Sequence, residues 1–219
     1  FDSLIQTIER AIQLQTPIMQ SFLINQSNRK PLSIHPKQLP ALQDLIKKMD
    51  ALYIHGSYFI NPANLKESGK KTLEKELALA QKIGAAGLIL HSGSATGNKT
   101  HAEGIASLAK VLNEIMKKYP DIPIILENTA HGGKSVGSNF EDFKKLKTLL
   151  DHPEKIQFCI DTAHAHAFGY DLRTPEQQQE FLALVDDTIG LEQVALIHLN
   201  DPAHELGSLL DKHEPLGQG

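Results

Sequence analysis

Histidine and carboxylate residues recur at a regular interval along the chain, each at the end of a short apolar run. His55, His91, Glu127, Asp161 and His198 follow one another at 36, 36, 34 and 37 residues. Because one strand–helix unit takes a little over 30 residues, each of the five holds the same position in its own unit. Imidazole and carboxylate donors together, without thiolates, suit zinc, manganese or iron rather than calcium. The spacing therefore predicts five candidate metal ligands at successive strand ends.

Two further groups extend this set. His164 follows Asp161 by three residues, and Asp211 and His213 lie two residues apart, which places both side chains on one side of an extended chain. Taken singly, such residues are often hydrogen-bonded rim or helix-capping residues. Eight of them at one place would be costly to bury unless they paired or bound cations. Several clustered divalent cations favour phosphoester hydrolysis, because they activate water and stabilise phosphoryl charge.

The six remaining histidines carry less weight. His166 lies near the candidate ligands and is expected at most to support them. The other five stand in polar, loop-like or helix-start contexts, where we expect exposed side chains: His35, His101, His131, His152 and His204.

Short apolar runs alternate with longer amphipathic stretches along the whole chain. The apolar runs are rich in Ile, Val and Leu and predict buried parallel strands at residues 18–24, 51–55, 87–91, 122–127, 156–161 and 194–199. The amphipathic stretches predict helices at residues 4–14, 65–83, 102–118, 140–150 and 175–189. Asn139 and Thr174 are the expected N-caps of the last two helices.

A repeated strand–helix unit forms either an open doubly wound sheet or a closed (β/α)8 TIM barrel. A barrel brings all its strand ends to one mouth, whereas an open sheet spreads them along a line. Five candidate ligands in register therefore favour the barrel, and no glycine-rich phosphate loop follows a strand. Since only six strands are predicted, we expect residues 1–219 to form a single, incomplete barrel domain that lacks the first and last strands.

Composition limits the partners and the compartment. The net charge of −4 argues against a general electrostatic attraction to nucleic acid, although bound cations would reverse the sign locally. The single cysteine, Cys159, excludes an internal disulfide and suits a reducing compartment. No apolar run reaches the length of a membrane span, and the opening residues lack the layout of a signal peptide. We therefore expect a cytoplasmic protein without membrane contact.

A series of ordered motifs resembles the endonuclease IV family of abasic-site endonucleases. The resemblance extends from about Leu4 to Gly219. It implies a (β/α)8 barrel with three zinc ions in its mouth, some of which manganese or iron could replace. The matching motifs are His55-Gly56-Ser57-Tyr58, Ile60-Asn61, His91-Ser92-Gly93, Leu126-Glu127-Asn128-Thr129-Ala130, Cys159-Ile160-Asp161-Thr162-Ala163-His164, Gly169-Tyr170-Asp171, His198-Leu199-Asn200-Asp201, Glu205-Leu206-Gly207-Ser208, Asp211-Lys212-His213 and Leu216-Gly217-Gln218-Gly219.

The resemblance also implies a role for each matching residue. His55, His91 and Glu127 resemble the ligands of one zinc ion. Glu127, as a bridge, resembles a ligand of the second zinc together with Asp161 and His198. His164, Asp211 and His213 resemble the ligands of the third.

In that family a metal-bound hydroxide attacks the phosphate 5′ to an abasic deoxyribose and leaves a 3′-hydroxyl, as base-excision repair requires. Tyr58 and Asn61, and also Asn25 and Arg29, match positions at the DNA-facing rim. Such rim loops kink the duplex and hold the flipped-out abasic nucleotide. The implied partner is double-stranded DNA with abasic sites in a bacterial-type cytosol, or in a nucleus if the source is eukaryotic. No obligate protein partner is implied.

The chain departs from the family pattern at three places. The family's second zinc also takes a glutamate from the eighth strand, which has no counterpart in this sequence. Pro202 and Ala203 stand where the family usually has Ser-Lys, and Leu209 lies near a usual arginine. We expect these changes to affect DNA affinity more than metal binding.

Two alternatives remain open. A sugar isomerase or epimerase of the xylose-isomerase-like barrels would share the fold and use one or two ions. It would have no use for His164 with Asp211 and His213. A non-catalytic relative would bind metal or damaged DNA without cutting it, and the Pro202, Ala203 and Leu209 departures are its best support.

Overall fold

The computed structural model describes residues 4–27, 30–32 and 34–219, which form two compact units. The first unit comprises Phe1–Ile60, Glu67–Leu90 and Ile115–Ile124. The second comprises Asn61–Lys66, His91–Glu114 and Ile125–Gly219. The single domain expected for residues 1–219 stays a prediction.

Three parallel strands form the sheet of the first unit. Strand β2 pairs with β1 on one side and with β3 on the other, and His55, the last residue of β2, is opposite Phe22 in β1. Apolar residues of β2 and of the helices supply the core, where Leu42, Leu52 and Leu73 are completely buried. The elements are α1 (Leu4–Gln13), β1 (Ile18–Phe22), α2 (Leu39–Ile46), β2 (Ala51–His55), α3 (Glu67–Ile83) and β3 (Gly87–His91), whose last residue belongs to the second unit.

A second set of three parallel strands lies in the second unit. Strand β5 pairs with β4 and with β6, and Asp161 at the end of β5 is opposite His198 at the end of β6. Two further short strands, β7 and β8, form an antiparallel pair. The elements are α4 (His101–Lys118), β4 (Ile124–Glu127), α5 (Phe140–Lys147), β5 (Gln157–Asp161), α6 (Thr162–Phe168), α7 (Pro175–Thr188), β6 (Val194–His198), β7 (Asp201–Pro202) and β8 (His213–Glu214). The first residue of β4 and the last turn of α4 fall in the first unit.

Side-chain caps and aromatic packing fix the helices of the second unit. Asn139 accepts a hydrogen bond from the Glu141 backbone at the start of α5, and Thr174 forms a capping box with Gln177 at the start of α7. Each cap satisfies backbone donors that the first helical turn leaves unpaired. The buried core contains a chain of rings in which Phe143 lies 5.7 Å from Phe140 and 5.0 Å from Phe158, between ring centroids.

Four short 3-10 helices connect these elements. They are Pro36–Gln38, Pro62–Asn64, Pro153–Lys155 and Leu191–Gln193. Three of them begin at proline, whose fixed φ suits the first helical position.

All six expected strands are present, with ends that differ from the prediction by no more than two residues. Besides the 3-10 helices, four elements were not predicted. Helix α2 is short and contains Pro40, α6 has only seven residues, and each strand of the β7–β8 pair has only two. Among the described residues, no helix combines the length and apolar character that a membrane span needs.

Candidate metal centre

Strand ends place four of the candidate ligands in the second unit. His91, Glu127, Asp161 and His198 are the final residues of β3, β4, β5 and β6. Strands β3, β4 and β5 are mostly buried runs rich in Ile, Leu and Phe, whereas β6 is only partly buried and its Ile197 is exposed. In all four, the first His, Glu or Asp occurs where the strand ends. Glu127 and Asp161 are each 1% exposed.

Glu127 lies at the centre of this group. Its Oε2 is 3.1 Å from His91 Nε2, and its Oε1 is 2.9 Å from His198 Nδ1. Oε1 also lies 3.5 Å from His164 Nδ1. One buried carboxylate therefore lies within 3.5 Å of three imidazoles from three different parts of the chain.

Asp161 is fixed on all sides. Its Oδ1 accepts a hydrogen bond from the His164 backbone at 2.9 Å and so caps α6. Its Oδ2 accepts one from the Asn200 amide at 2.6 Å. The amide of Asn128 pairs with both backbone groups of Asp161, at 2.7 and 3.0 Å. Neighbouring loops thus determine the direction of the Asp161 carboxylate before any ligand binds.

His164 lies on α6, because Asp161 caps a helix that begins at Thr162. Its Nδ1 is 2.8 Å from the Asn128 carbonyl oxygen, and its Nε2 is 3.2 Å from Asp211 Oδ1. A carbonyl oxygen only accepts, so Nδ1 carries a hydrogen and Nε2 faces the carboxylate. His213 Nε2 lies 3.2 Å from the same Asp211 oxygen.

Two acceptor atoms, an imidazole nitrogen and a carboxylate oxygen, can approach this closely only if a proton or a cation lies between them. Burial lowers the pKa of His164, but the hydrogen bond to Asp211 and the charges of Asp161 and Glu127 outweigh it and raise the pKa to about 9. The same bond to His164 is the main cause that lowers the pKa of Asp211, against its burial. Burial also lowers the pKa of His198, but the hydrogen bond to Glu127 and the charges of Glu127 and Asp161 outweigh it and raise the pKa.

The donors fit a divalent metal ion of the zinc type. Glu127, Asp161 and His198 each offer a ligand atom within 4.8 Å of the others, and so do Asp161, His164 and His213. Asp211 lies between His164 and His213 and is a further donor to that second group. Carboxylate and imidazole without thiolate match zinc, manganese or iron.

The first unit holds His55 and three of the rim residues expected to face DNA. His55 Nδ1 lies 2.8 Å from the Gly56 carbonyl oxygen, and its ring contacts Tyr58 and Phe22 at 5.1 and 5.0 Å between centroids. Tyr58 is 58% exposed. Asn25 Oδ1 accepts bonds from the backbone and hydroxyl of Ser27. Arg29 lies outside the described residues.

Asn61, the fourth rim residue, belongs to the second unit. Its amide bonds both backbone groups of Ser94, each at 2.9 Å. In this position Asn61 joins its own loop to the loop that follows His91. Its expected contact with DNA stays a prediction.

Two histidines differ from the expectation of an exposed side chain. His101 is partly buried because its Nε2 pairs with the buried Asp142 at 2.9 Å. His204 is also partly buried, and its Nε2 is enclosed. His35, His131 and His152 are exposed.

Two asparagines that orient the ligands were not singled out from the sequence. Asn128 directly follows the candidate ligand Glu127, and Asn200 lies two residues after the candidate ligand His198. That adjacency and their place in the matching motifs are the signals that could have identified them, although asparagine is also common in ordinary turns.

Two of the three departures from the family pattern occur on one hairpin. Pro202 of β7 is opposite His213 of β8, and the Ala203 backbone donates to the Lys212 carbonyl oxygen at 2.9 Å. Leu209 lies in the loop between these strands. The substituted positions therefore lie on the same hairpin as the ligand candidates Asp211 and His213.

Known proteins share both the sequence and the fold. A family model described as "Xylose isomerase-like TIM barrel" matches residues 11–219. A "Probable endonuclease 4" from Halothermothrix orenii is 34% identical, over 99% of this chain and 80% of that protein. A "Probable endonuclease 4" from Nitrosopumilus maritimus is 33% identical over the same shares.

A solved structure agrees. The crystal structure of endonuclease IV from Thermus thermophilus superposes with a TM-score of 0.83 at 29% identity, covering 98% of this chain and 78% of that one. The expected barrel fold is confirmed, and the alternation of strands and helices in each unit is consistent with an incomplete barrel. The chain belongs to the endonuclease IV family of the xylose isomerase-like TIM barrels.

Proposed function

We propose that this chain is a zinc-dependent endonuclease of base-excision repair that hydrolyses the phosphodiester 5′ to an abasic site and leaves a 3′-hydroxyl. Membership of the endonuclease IV family supports an enzyme of the nuclease class with DNA as its substrate. Such a substrate implies that the protein acts in the compartment that holds the DNA.

The observation that carries the proposal is the position of Glu127 between three imidazoles. A buried carboxylate contacting His91, His164 and His198 suits a cluster of cations better than a single ion. Following the family, we assign His55, His91 and Glu127 to one zinc ion. Glu127, Asp161 and His198 take a second, and His164, Asp211 and His213 take a third.

Zinc bound in this way supplies an activated water molecule and positive charge at the phosphate that is cleaved. The chain's own residues prepare that place. Asn128 and Asn200 hold Asp161, and the Asn128 carbonyl oxygen directs His164 Nε2 toward Asp211. The rim residues Tyr58, Asn61, Asn25 and Arg29 would hold the DNA around the abasic nucleotide.

The proposal is tested with a duplex that carries one abasic site. We expect zinc-loaded protein to nick the strand 5′ to the lesion, leaving a 3′-hydroxyl that a DNA polymerase extends. Prolonged chelation should abolish nicking, and added zinc should restore it. Protein that holds about three zinc ions per chain but does not nick would contradict the proposal and favour the non-catalytic alternative.

His91→Ala is the sharpest test of the ligand assignment for activity. Removing an imidazole that contacts Glu127 at 3.1 Å should lower the nicking rate by at least about 100-fold, because ligand loss disorders the bridging carboxylate. The exposed His152→Ala is the matched control and should retain the rate of the unmodified chain. Equal nicking rates in His91→Ala and His152→Ala would show that His91 does not belong to the metal centre.

His213→Ala tests the number of ions. His213 is half-exposed and lies in the two-residue strand β8, so the fold should tolerate its loss. We expect elemental analysis to find one ion fewer per chain, with unchanged circular dichroism. An unchanged metal content would contradict the three-ion assignment and strengthen the isomerase alternative.

A further inference from the structure

Asp211 and His213 are carried by a loop whose own anchoring is unusual. Leu209, two residues before Asp211, has a φ of +60°. This left-handed conformation is unfavourable for leucine, because its Cβ atom comes too close to the following carbonyl oxygen. Such a backbone persists only where its surroundings fix it in several ways.

Three contacts fix Leu209. Its backbone N–H donates to the Ala167 carbonyl oxygen at 2.9 Å. Its own carbonyl oxygen lies 3.1 Å from His131 Nδ1, which must carry the hydrogen because the carbonyl only accepts. Its side chain lies against Gly132, where a Cβ atom would be only 3.1 Å from Leu209 Cδ1.

The backbone of His131 is itself held by a hydrogen bond. Ser138 Oγ donates to the His131 carbonyl oxygen, and that hydroxyl also contacts Thr129 Oγ1 at 2.7 Å. Thr129 and Ser138 are buried. The imidazole of His131 is exposed, but its backbone is part of a fixed loop that starts directly after Glu127.

The same loop directs the opposite side of the ligand group. The Asn128 carbonyl oxygen bonds His164 Nδ1 and so turns His164 Nε2 toward Asp211. The loop after β4 therefore holds His164 through Asn128 and holds the segment before Asp211 through His131.

We propose that His131 is a positioning residue: its hydrogen bond to the Leu209 carbonyl oxygen places Asp211 and His213 opposite His164. We call the contacts of Leu209 with His131, Gly132 and Ala167 the Leu209 clamp. The inference rests on the proposed third metal site. It assigns a function to an exposed histidine that contacts no candidate ligand side chain in the described structure.

His131→Leu removes the donor, and His131→Asn restores an amide N–H near the position of Nδ1. In metal-free His131→Leu, we expect faster hydrogen exchange at the backbone amides of Leu209 and Ala203. Leu209 donates to the Ala167 carbonyl oxygen, and Ala203 donates to the Lys212 carbonyl oxygen within this hairpin. In zinc-loaded protein, we expect His131→Leu to release one ion roughly tenfold faster to a chelator, as loss of one hydrogen bond allows. His131→Asn should recover most of both effects.

Gly132→Ala is an independent variant, because it keeps the His131 donor and displaces Leu209 by a few tenths of an ångström. It should shift exchange and metal release in the same direction. His152→Leu, at another exposed histidine, is the control and should change neither.

Unchanged amide exchange in His131→Leu would show that His131 does not hold Leu209 and would overturn the proposal. Faster exchange with unchanged metal release would also overturn the inference, because the loop would then not position ligands. His213→Ala, measured beside it, separates this result from the proposed function. If His213→Ala loses no ion, the third-site assignment fails, while the amide exchange rates still decide whether His131 holds Leu209.

Discussion

Single residues at this centre serve more than one purpose. Asp161 caps a helix through Oδ1 and offers a ligand atom beside Glu127 and His198. His164 Nδ1 donates to the Asn128 carbonyl oxygen, which orients the ring so that Nε2 faces Asp211. Because each side chain has a structural and a chemical contact, its direction is fixed before a metal ion arrives.

A buried acid outside the ligand set offers a test of how burial affects stability. Glu76 on α3 is 1% exposed, and both of its oxygens accept a hydrogen bond from the Ser57 backbone, at 3.2 and 3.1 Å. Burial raises the pKa of Glu76 from 4.5 to about 7, although the bond from Ser57 opposes it. Ser57 is the residue next to Tyr58, so Glu76 supports the rim loop from beneath.

The sign of the pH effect follows from this shift. Because the pKa is higher in the folded state than in the unfolded state, the contribution of Glu76 to stability is complete below about pH 4.5 and is lost as the pH rises to about 7. Glu76→Gln stays neutral. We therefore expect it to unfold at higher urea than the unmodified chain above pH 7, by up to roughly 3 kcal/mol in the free energy of unfolding.

Urea unfolding of metal-free protein at several pH values from 4.5 to 8 checks this expectation. Glu67→Gln, at an exposed position of the same helix, is the control and should run parallel to the unmodified chain. A constant difference between Glu76→Gln and the unmodified chain across this range would show that Glu76 does not titrate as described.

At the scale of elements, the ends of neighbouring strands are joined by side chains as well as by the sheet. Asn128, just beyond β4, pairs its amide with both backbone groups of Asp161 at the end of β5. Thr162, at the start of α6, bonds the backbone of Asn200 beyond β6. These contacts continue the pairing of strands past the last sheet hydrogen bond, and they set the distances between ligands.

Asn128→Asp should separate this role from simple packing. The substitution keeps the size of the side chain but replaces the donor to the Asp161 carbonyl oxygen with an acceptor and adds a buried charge. We expect metal affinity to fall by roughly 10–100-fold, the effect usual for a residue that orients ligands. Zinc competition with a fluorescent chelator measures it.

Asn113→Asp is the matched control, since Asn113 also bridges backbone groups, at Leu149 and Asp151, but lies on α4. It should leave metal affinity unchanged. Equal affinity in Asn128→Asp and in the unmodified chain would mean that sheet pairing alone orients Asp161.

At the scale of the whole molecule, the net charge of the chain and the charge of a metal-loaded centre would have opposite effects on DNA. The chain carries a formal charge of −4, which by itself repels DNA. The candidate centre gathers three carboxylates, Glu127, Asp161 and Asp211, with their histidines. Bound divalent cations would reverse the sign at this place, where a phosphate must approach.

Zinc binding should therefore be coupled to protons. In the metal-free protein His164 is protonated at neutral pH, because its neighbours raise its pKa to about 9. A zinc ion needs neutral imidazole, so binding must expel that proton. We expect proton release at pH 7.5 and an apparent zinc affinity that increases with pH up to about 9.

Calorimetry in buffers of different ionisation enthalpy counts the protons released. The stability of the metal-free protein gives an independent check. The contribution of His164 should be complete below about pH 6.5 and be lost as the pH rises through about 9. Zinc uptake without proton release at pH 7.5 would contradict the protonated state of His164.

The sequence by itself predicted a set of candidate ligands and determined on which kind of element most of them lie. Apolar runs of Ile, Leu and Val predicted the six strands, and His, Glu or Asp at nearly constant spacing predicted the polar ends of five of them. The physical reason is that a strand buried on both faces excludes polar residues until it ends. The ordered motifs then identified the family, which the comparisons confirm.

Only the tertiary structure decided how the ligands are held. Helix α6, which carries His164, depends on the cap from Asp161, and α2 has only eight residues, too few to show a clear helical period. The bonds from Asn128 and Asn200 to Asp161, and from His131 to Leu209, join residues 33, 39 and 78 positions apart. Single asparagine and histidine side chains leave no periodic pattern, so their partners are defined only once the chain has folded.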